Sequence, residues 1–584
     1  KEEALPRISV VYPLKGARIG ASDSTFIFGS VTPESKLIIN GFKTEVHPNG
    51  AFLAFLPLTS GDFTFELLAE NSAGVSVKKV SVKVPPAIFP VPVDSFCIVR
   101  GSVRPREDMT LTAGDILETE FRGTPGCQAR FSVEGLVDDV PMAESAPGIS
   151  TFPQEHAWVE RSGSNSSLVS GTYTGLYAVR DSDRVEDAKI HFKLIKRLGQ
   201  DSVYVTESSP GKITIKDGRI PQVVEFVGSS VVARSGPKLG YTLLYQPPGI
   251  RAVASGKKGE WVRLRLAPGE DAWVHQDSIR YLPPGTPFPK SILTRIQTEK
   301  LDGRTQVTLF LQEKVPFRVE QQTEPSALFL TLYGVTSNTD WIRYDSEDRL
   351  INEIKWGQPK KDVYQLEIFL NQKQQWGYDV FYDEDNLILE IKHQPKIKRG
   401  LEGLRICLDP GHSPDPGAVG PTGLVEKVVN LEIAEKLRKI LVRNGAEVVM
   451  TRKGYESVAI YDRPRIAIEK ECDILISIHN NALPDGVNPF CNNGTSTYYY
   501  HPQSLALARE IQSELLKGLK LPDFGTYYGN LVLTRPSQLP AVLVEPAFMM
   551  IPEQEELLRT EKFQRKCAQA MARGVLNLVK SVKE

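Results

Sequence analysis

Arg405-Ile406-Cys407-Leu408-Asp409-Pro410-Gly411-His412 passes from a short apolar run into a tight polar loop that ends on an imidazole. Three apolar residues, Ile406 to Leu408, followed through Asp409 by Pro and Gly read as a buried strand and its exit turn. Downstream, the segment from Glu426 to Arg443 changes period. Leu431, Ala434, Leu437, Ile440 and Leu441 recur at helical spacing and give one apolar face. Further apolar strands are expected at Val448-Val449-Met450, Ile474 to Ile478, Ser496 to Tyr500 and Ala541 to Val544, with helices between and after them. Strands without polar alternation, separated by helices, imply an α/β domain over residues 398–584. Its sheet is expected to be mostly parallel and covered by helices on both faces.

Three polar side chains follow directly on those strands: His412, His479 after Ser477-Ile478, and Glu545 after Val542-Leu543-Val544. Sites in open α/β sheets form at the carboxyl ends of strands, so residues far apart in sequence converge there. Glu426, at the start of the first helix, reaches the same edge. Two imidazoles and a carboxylate are a catalytic zinc donor set that leaves a position for water, and a further carboxylate can take that water's proton. Each residue also has a plain structural reading. A loop His is usually solvated, and a Glu at a helix start is favoured by the dipole alone. Glu545 is harder to dismiss, because a carboxylate ending a buried strand needs a partner.

Asp409-Pro410-Gly411-His412, Glu426, Thr451-Arg452, Ser477-Ile478-His479-Asn480-Asn481, Gly494-Thr495 and Pro540 to Glu545 together resemble, in order, the zinc-dependent N-acetylmuramoyl-L-alanine amidases. The resemblance implies that His412, Glu426 and His479 hold one zinc ion and that Glu545 is the catalytic acid/base. It implies cleavage of the amide between the lactyl group of N-acetylmuramic acid and L-alanine in peptidoglycan, with no organic cofactor. Asn481 occupies a position that orients substrate, and Arg463 matches a recurring Arg assigned here to substrate binding, with strand-end hydrogen bonding as the alternative. Ser413-Pro414 replaces a glycine pair, and Ala547 stands where Gly commonly precedes the Phe at Phe548. His501 reads as a rim or turn residue. A non-catalytic wall-binding protein with an amidase-like domain would be expected to lose one of the four key residues, and all four are present. A zinc peptidase acting on stem peptides is disfavoured, since no HExxH occurs.

The chain upstream is β-rich and punctuated by prolines. An immunoglobulin-like sandwich is expected over 1–86, with hairpin dipeptides at Asn40-Gly41 and Asn49-Gly50, and a linker marked by Pro85-Pro86, Pro90 and Pro92. A second β domain follows over 87–197. Residues 198–284, with Ser229 to Pro237, Trp261 and Trp273, resemble bacterial SH3-like modules, and 285–397 resembles an AMIN domain. At 584 residues, several separate modules are the natural expectation.

Seventy basic against 71 acidic residues give a net charge of −1, which creates no global field for nucleic acid or an anionic membrane. The six cysteines are dispersed; Cys97 and Cys127 fall in one β region and either pair or stay as thiols. Lys1 to Pro6 lack a secretory apolar core, so an envelope or secreted location implies a trimmed form. Peptidoglycan is the expected partner, with envelope or divisome proteins as partners of the β modules and no membrane span. The Asn480 to Asn493 segment is too short and too rich in Asn, Pro and Gly for a helix that plugs the site. The fragment from Lys398 to Glu584 is therefore expected to work alone on soluble muropeptides.

Overall fold

The computed structural model describes residues 4–21, 23–85, 91–92, 94–145, 170–217, 222–228, 230–240 and 242–583. The chain is largely β, with several sheets ahead of a C-terminal domain that combines helices with a mixed sheet. Pro86, Pro90 and Ser229, read above as linker or module residues, lie outside the described residues. Among the described residues no helix is long and apolar enough to cross a membrane.

The first unit pairs a three-stranded sheet (Ile8–Tyr12, Ser24–Val31, Ala51–Pro57) with a four-stranded one (Phe42–Thr44, Lys36–Ile39, Gly61–Asn71, Gly74–Val84). Asn40-Gly41 closes a hairpin in which Ile39 faces Phe42. Gly61–Asn71 alternates exposed and buried side chains, the pattern of a strand with one wet face. Ser24–Val31 does not alternate, because both of its faces are covered. Ile27 and Val31 enter the sandwich core, whereas Phe26 and Phe28 pack on the C-terminal domain.

The expected boundary at residue 197 is corrected by the pairing. Ile190–Leu198 and Asp201–Ser208 form one hairpin closed by Leu198 and Asp201, so the break in pattern there is the Gly199-Gln200 turn. Ile213–Ile215 then pairs with Met109–Leu111, which carries the second unit to at least Ile215. The second and third units share a sheet through Thr110 and Lys257. The third and fourth share a continuous apolar core that includes Val262, Leu264, Leu309 and Leu366. Cys97 and Cys127 are both free thiols.

In the C-terminal domain the elements are β1 (Arg405–Pro410), α1 (Glu426–Arg443), β2 (Glu447–Met450), α2 (Asp462–Glu469), β3 (Ile474–Ile478), β4 (Thr495–Tyr499), α3 (Leu505–Leu519), β5 (Asp523–Tyr528), β6 (Ala541–Glu545), α4 (Pro552–Leu558) and α5 (Glu561–Lys583). The sheet order is β2-β1-β3-β6-β4-β5. β2, β1, β3 and β6 run parallel, and β4 runs antiparallel to β6, so the sheet is mixed. β5, which is parallel to β4, was not anticipated from the sequence. Period-two geometry splits the apolar strands between two cores. Ile406, Leu408, Ile476, Val542 and Val544 face one core with α1, α3 and α5. Cys407, Leu475, Ala541 and Leu543 face the other, covered by Ala467 of α2 and by Leu533 and Leu539 of a loop. The helical cover is therefore uneven.

Two upstream units grip this domain at opposite ends. At the amino end of the strands, Trp376 of the fourth unit is wholly buried in the core of the C-terminal domain. Gly377 beside it sits so close that a Cβ would lie 2.1 Å from the Gln538 carbonyl oxygen, which only glycine tolerates. At the carboxyl end, the first unit packs Phe26, Phe28 and Leu53 against Leu483, Phe548 and Met550.

Candidate active site

β1, β3 and β6 deliver His412, His479 and Glu545 to one edge, and Glu426 opens α1 beside them. The donor atoms of His412, Glu426 and His479 all lie within 4.8 Å of one another. Glu426 Oε2 is 3.0 Å from His412 Nε2, and its Oε1 is 3.1 Å from His479 Nδ1. The two rings meet edge to face at 4.8 Å. Gly411 makes room for this: a Cβ there would lie 2.2 Å from His479 Cε1. Glu426 is 3% exposed, whereas the His412 and His479 side chains keep 27% and 18% of their surface, so the imidazole side of the cluster opens to solvent.

The remaining hydrogen bonds hold each group in one orientation. His412 Nδ1 is 2.5 Å from Asp415 Oδ2, which leaves Nε2 for the cluster. Glu426 Oε2 accepts from the Ala418 amide, and Oε1 accepts from the Asn480 amide and from Asn430 Nδ2. Asn480 Nδ2 in turn donates to Asn430 Oδ1. Burial alone would raise the Glu426 carboxyl, but the imidazoles outweigh it and hold the group well below the usual carboxylate range. For His412 burial works downward, and the hydrogen bonds it donates to the Glu426 and Asp415 carboxylates, with their charges, carry the imidazole above its ordinary value.

Glu545 differs from every other carboxylate among the described residues. The residue as a whole is half-buried, but its Oε2 is closed off from solvent and has no hydrogen-bond partner. Burial, and after it the charge of Glu426, push its carboxyl well above the ordinary value. Glu555 supplies the contrast, because it is fully buried yet accepts from the Thr422 amide and hydroxyl and from the Leu424 amide. A saturated carboxylate braces a loop, whereas an unsaturated one facing a donor cluster is available for chemistry. Asn481 Nδ2 is likewise buried without a partner, while Asn481 Oδ1 accepts from the Ala482 amide.

Two buried arginines fix the loop that carries His412. Arg452 donates to the carbonyls of Pro410, Gly411 and Lys427. Arg463 donates to Asp409 Oδ1 and to the carbonyls of Pro410, His412 and Ser413. This corrects the substrate-binding role expected for Arg463. All three of its guanidinium nitrogens are occupied within the protein, at 4% exposure, so its donors brace the loop. Asp409 is completed by Thr451 and Ser477 hydroxyls.

The family model for N-acetylmuramoyl-L-alanine amidases matches residues 406–577, which contain the whole cluster. The amidase AmiA of Escherichia coli is 30% identical over 228 residues, which cover 32% of this chain and 79% of AmiA. The chain belongs to the N-acetylmuramoyl-L-alanine amidase family. The amidase LytC of Bacillus subtilis is 34% identical over 187 residues, 31% of this chain but only 37% of LytC, so for that relative the match spans little more than a third of its length. The solved amidase AmiC2 of Nostoc punctiforme is 32% identical, covering 30% of this chain and 97% of that one, at a TM-score of 0.29. The fold of the amidase domain stands on the strand order above rather than on that score.

Ser413 shows what the missing glycine pair entails. Both His412 and Ser413 have positive φ, 66° and 89°, a region that costs a residue with a side chain about 1–2 kcal/mol. Ser413 Oγ offsets this by donating to the Tyr455 and Glu456 carbonyls. Asp415, Asn430 and Asn480 were missed as orienting residues. The only signal in the sequence was their closeness to named motifs, one helical turn beyond Glu426 for Asn430. His501 lies away from the amidase cluster, on a cleft of about 770 Å³ shared with the third and fourth units. Its Nε2 bonds the Arg535 carbonyl, and burial lowers its imidazole to about 4.

Proposed function

We propose that the C-terminal domain hydrolyses the amide between the lactyl group of N-acetylmuramic acid and the L-alanine of the stem peptide in peptidoglycan. In this reading His412, Glu426 and His479 hold one zinc ion and Glu545 is the acid/base. The observation that carries it is the buried, unpartnered Oε2 of Glu545 at the strand end next to a tight His-Glu-His cluster. The donor set fits zinc, with a carboxylate that stays ionised and a His412 tautomer presented by Asp415.

When bound, zinc supplies Lewis acidity toward a water and toward the scissile carbonyl. Glu545 Oε2 takes the proton of the attacking water and returns it to the leaving amine nitrogen of L-alanine. Its raised carboxyl favours holding that proton between the two transfers. Asn481 Nδ2 offers a donor to the substrate. Asp415 keeps the His412 proton on Nδ1, and Arg463 and Arg452 hold the backbone on which His412 stands.

The upstream units are read as immunoglobulin-like, SH3-like and AMIN-like modules that position the enzyme on the wall or receive envelope and divisome proteins. The site of action is then the bacterial envelope or the cell-wall space. The test is product analysis on purified peptidoglycan. A free lactyl carboxylate together with a new N-terminal alanine supports the reading. Cleavage within the peptide, or no cleavage by the zinc-loaded chain, removes it. A variant with both His412 and His479 changed to Ala that still carries one zinc per chain overturns the ligand assignment.

A further inference from the structure

The loop after β3 is where the N-terminal sandwich holds the amidase domain. Asp485 receives three donors from that sandwich: the Tyr12 hydroxyl at 2.5 Å and the Thr25 hydroxyl at 2.9 Å on Oδ1, and the Gly20 amide at 2.6 Å on Oδ2. Around this polar point, Phe26, Phe28 and Leu53 pack on Leu483, Val487 and Met550. A second contact pairs His47 with Glu553 at 3.5 Å.

The two amidase segments under the sandwich are those that leave the site. One leaves His479 through Asn481 and Leu483, and the other leaves Glu545 through Ala547 and Phe548. They are knitted together by the Asn481 amide on the Ala547 carbonyl and the Met549 amide on the Asn481 carbonyl, each at 2.8 Å. The Leu483 amide adds a contact to Met550 Sδ. His412 and Glu426 belong to a different network, that of Arg463, Arg452, Asn430 and Asn480. Anchoring of the sandwich therefore bears first on the spacing of Glu545 and Asn481 from the cluster, which the first segment itself meets through His479 and through the Asn480 amide on Glu426 Oε1.

We propose that Asp485 is a positioning residue: by anchoring the N-terminal sandwich across both segments, it holds Asn481 and Glu545 at the distance from the His-Glu-His cluster that turnover requires. Asp485 touches no reacting atom. Geometry lost at such a distance from the chemistry is felt in the rate, since a misplacement of about 1 Å costs up to roughly 100-fold. The kinetic arm of the proposal rests on the amidase reading, and its structural arm does not.

The experiment compares the full-length chain with Asp485→Ala and Tyr12→Phe by zinc content, steady-state kinetics on a soluble muropeptide, and amide hydrogen exchange in peptides spanning 480–487 and 546–551. The expected result for Asp485→Ala is one zinc per chain, kcat lower by about 10-fold or more with a smaller change in KM, and faster exchange in both peptides. Tyr12→Phe removes one hydroxyl and keeps the ring in its apolar cluster. It gives the same pattern at smaller size, and serves where Asp485→Ala does not fold. Unchanged exchange overturns the anchoring, and faster exchange with unchanged kcat overturns the positioning role. A wild-type chain that holds zinc but does not cleave muropeptide overturns the amidase reading, and the exchange data then decide the anchoring alone.

Discussion

Asp415 Oδ2 stands 2.5 Å from Nδ1 of His412, so an exposed loop carboxylate dictates which imidazole nitrogen faces the candidate metal position. Removing such an orienting partner typically costs about 10- to 100-fold in metal affinity. Asp415→Asn is expected to weaken zinc by that amount in a chelator competition while the fold is kept. The pH dependence has a definite sign. A metal needs the neutral imidazole, and in the metal-free protein Glu426 and Asp415 raise His412 above its ordinary value. Zinc affinity should therefore fall as pH drops, beginning at a higher pH than an ordinary imidazole near 6.5 would set. In Asp415→Asn the onset should move to lower pH, and an unmoved onset would detach Asp415 from the titration.

Glu545→Gln keeps the shape of the side chain and removes its ability to accept a proton. The variant should retain one zinc per chain and lose about 100- to 10,000-fold in kcat. The wild-type pH profile should carry the mark of the same group. The acting form is the carboxylate; in the metal-free protein burial and then Glu426 raise its carboxyl, whereas zinc on Glu426 would offset the second of these causes, so kcat should carry an acid limb that belongs to Glu545. That limb should vanish from the residual rate of Glu545→Gln. An acid limb that persists unchanged in the variant belongs to another residue.

The site was legible because its members follow apolar runs, and apolar runs in α/β proteins end at one edge. His412, His479 and Glu545 were proposed that way and Glu426 from the start of the helix after the first loop; the fold brings His412, Glu426 and His479 together, and α1 begins and ends where its periodicity said. The misreadings share a physical cause. Arg463 has the type and position of a substrate clamp, and only the fold reveals that backbone carbonyls and the Asp409 carboxylate use its donors. Gly199-Gln200 looks like an inter-domain break and is a hairpin turn. The docking of the first unit left one unused trace, since Thr25-Phe26-Ile27-Phe28 lacks the alternation of a strand with a solvated face. What covered its second face lay more than 450 residues away in sequence, as in the Thr25 contact with Asp485 at a separation of 460.

Ser413 allows a test of backbone strain beside the cluster. Ala and Gly at this position both lose the hydroxyl bonds to Tyr455 and Glu456, but only Gly relieves the positive φ. Ser413→Gly should therefore be more stable than Ser413→Ala by about 1 kcal/mol, seen as a higher midpoint for the amidase transition in denaturant. The reverse order would mean that φ at Ser413 relaxes freely once the hydroxyl is gone.

Trp376 argues against the expectation that the fragment from Lys398 to Glu584 works alone. It belongs to the fourth unit, is wholly buried, and fills the same core as Leu401, Ile406 and Leu515 of the amidase domain. A fragment starting at residue 398 opens that core to water and also bares Leu483, Val487 and Met550, which the first unit covers. Trp376→Ala in the full chain should cost about 3–5 kcal/mol, the range for emptying a buried aromatic site. Trp376→Phe should cost much less, because the indole Nε1 is buried without an acceptor and its loss removes an unpaid desolvation. The isolated fragment is expected to melt below the amidase transition of the full chain, at least as far as Trp376→Ala does, and to associate through its bared faces. Calorimetry of the three proteins and the fragment, each zinc-loaded, checks the order. A fragment that melts with the full-length amidase transition would show that the domain closes its own core, and the upstream unit would then be a passenger at that face.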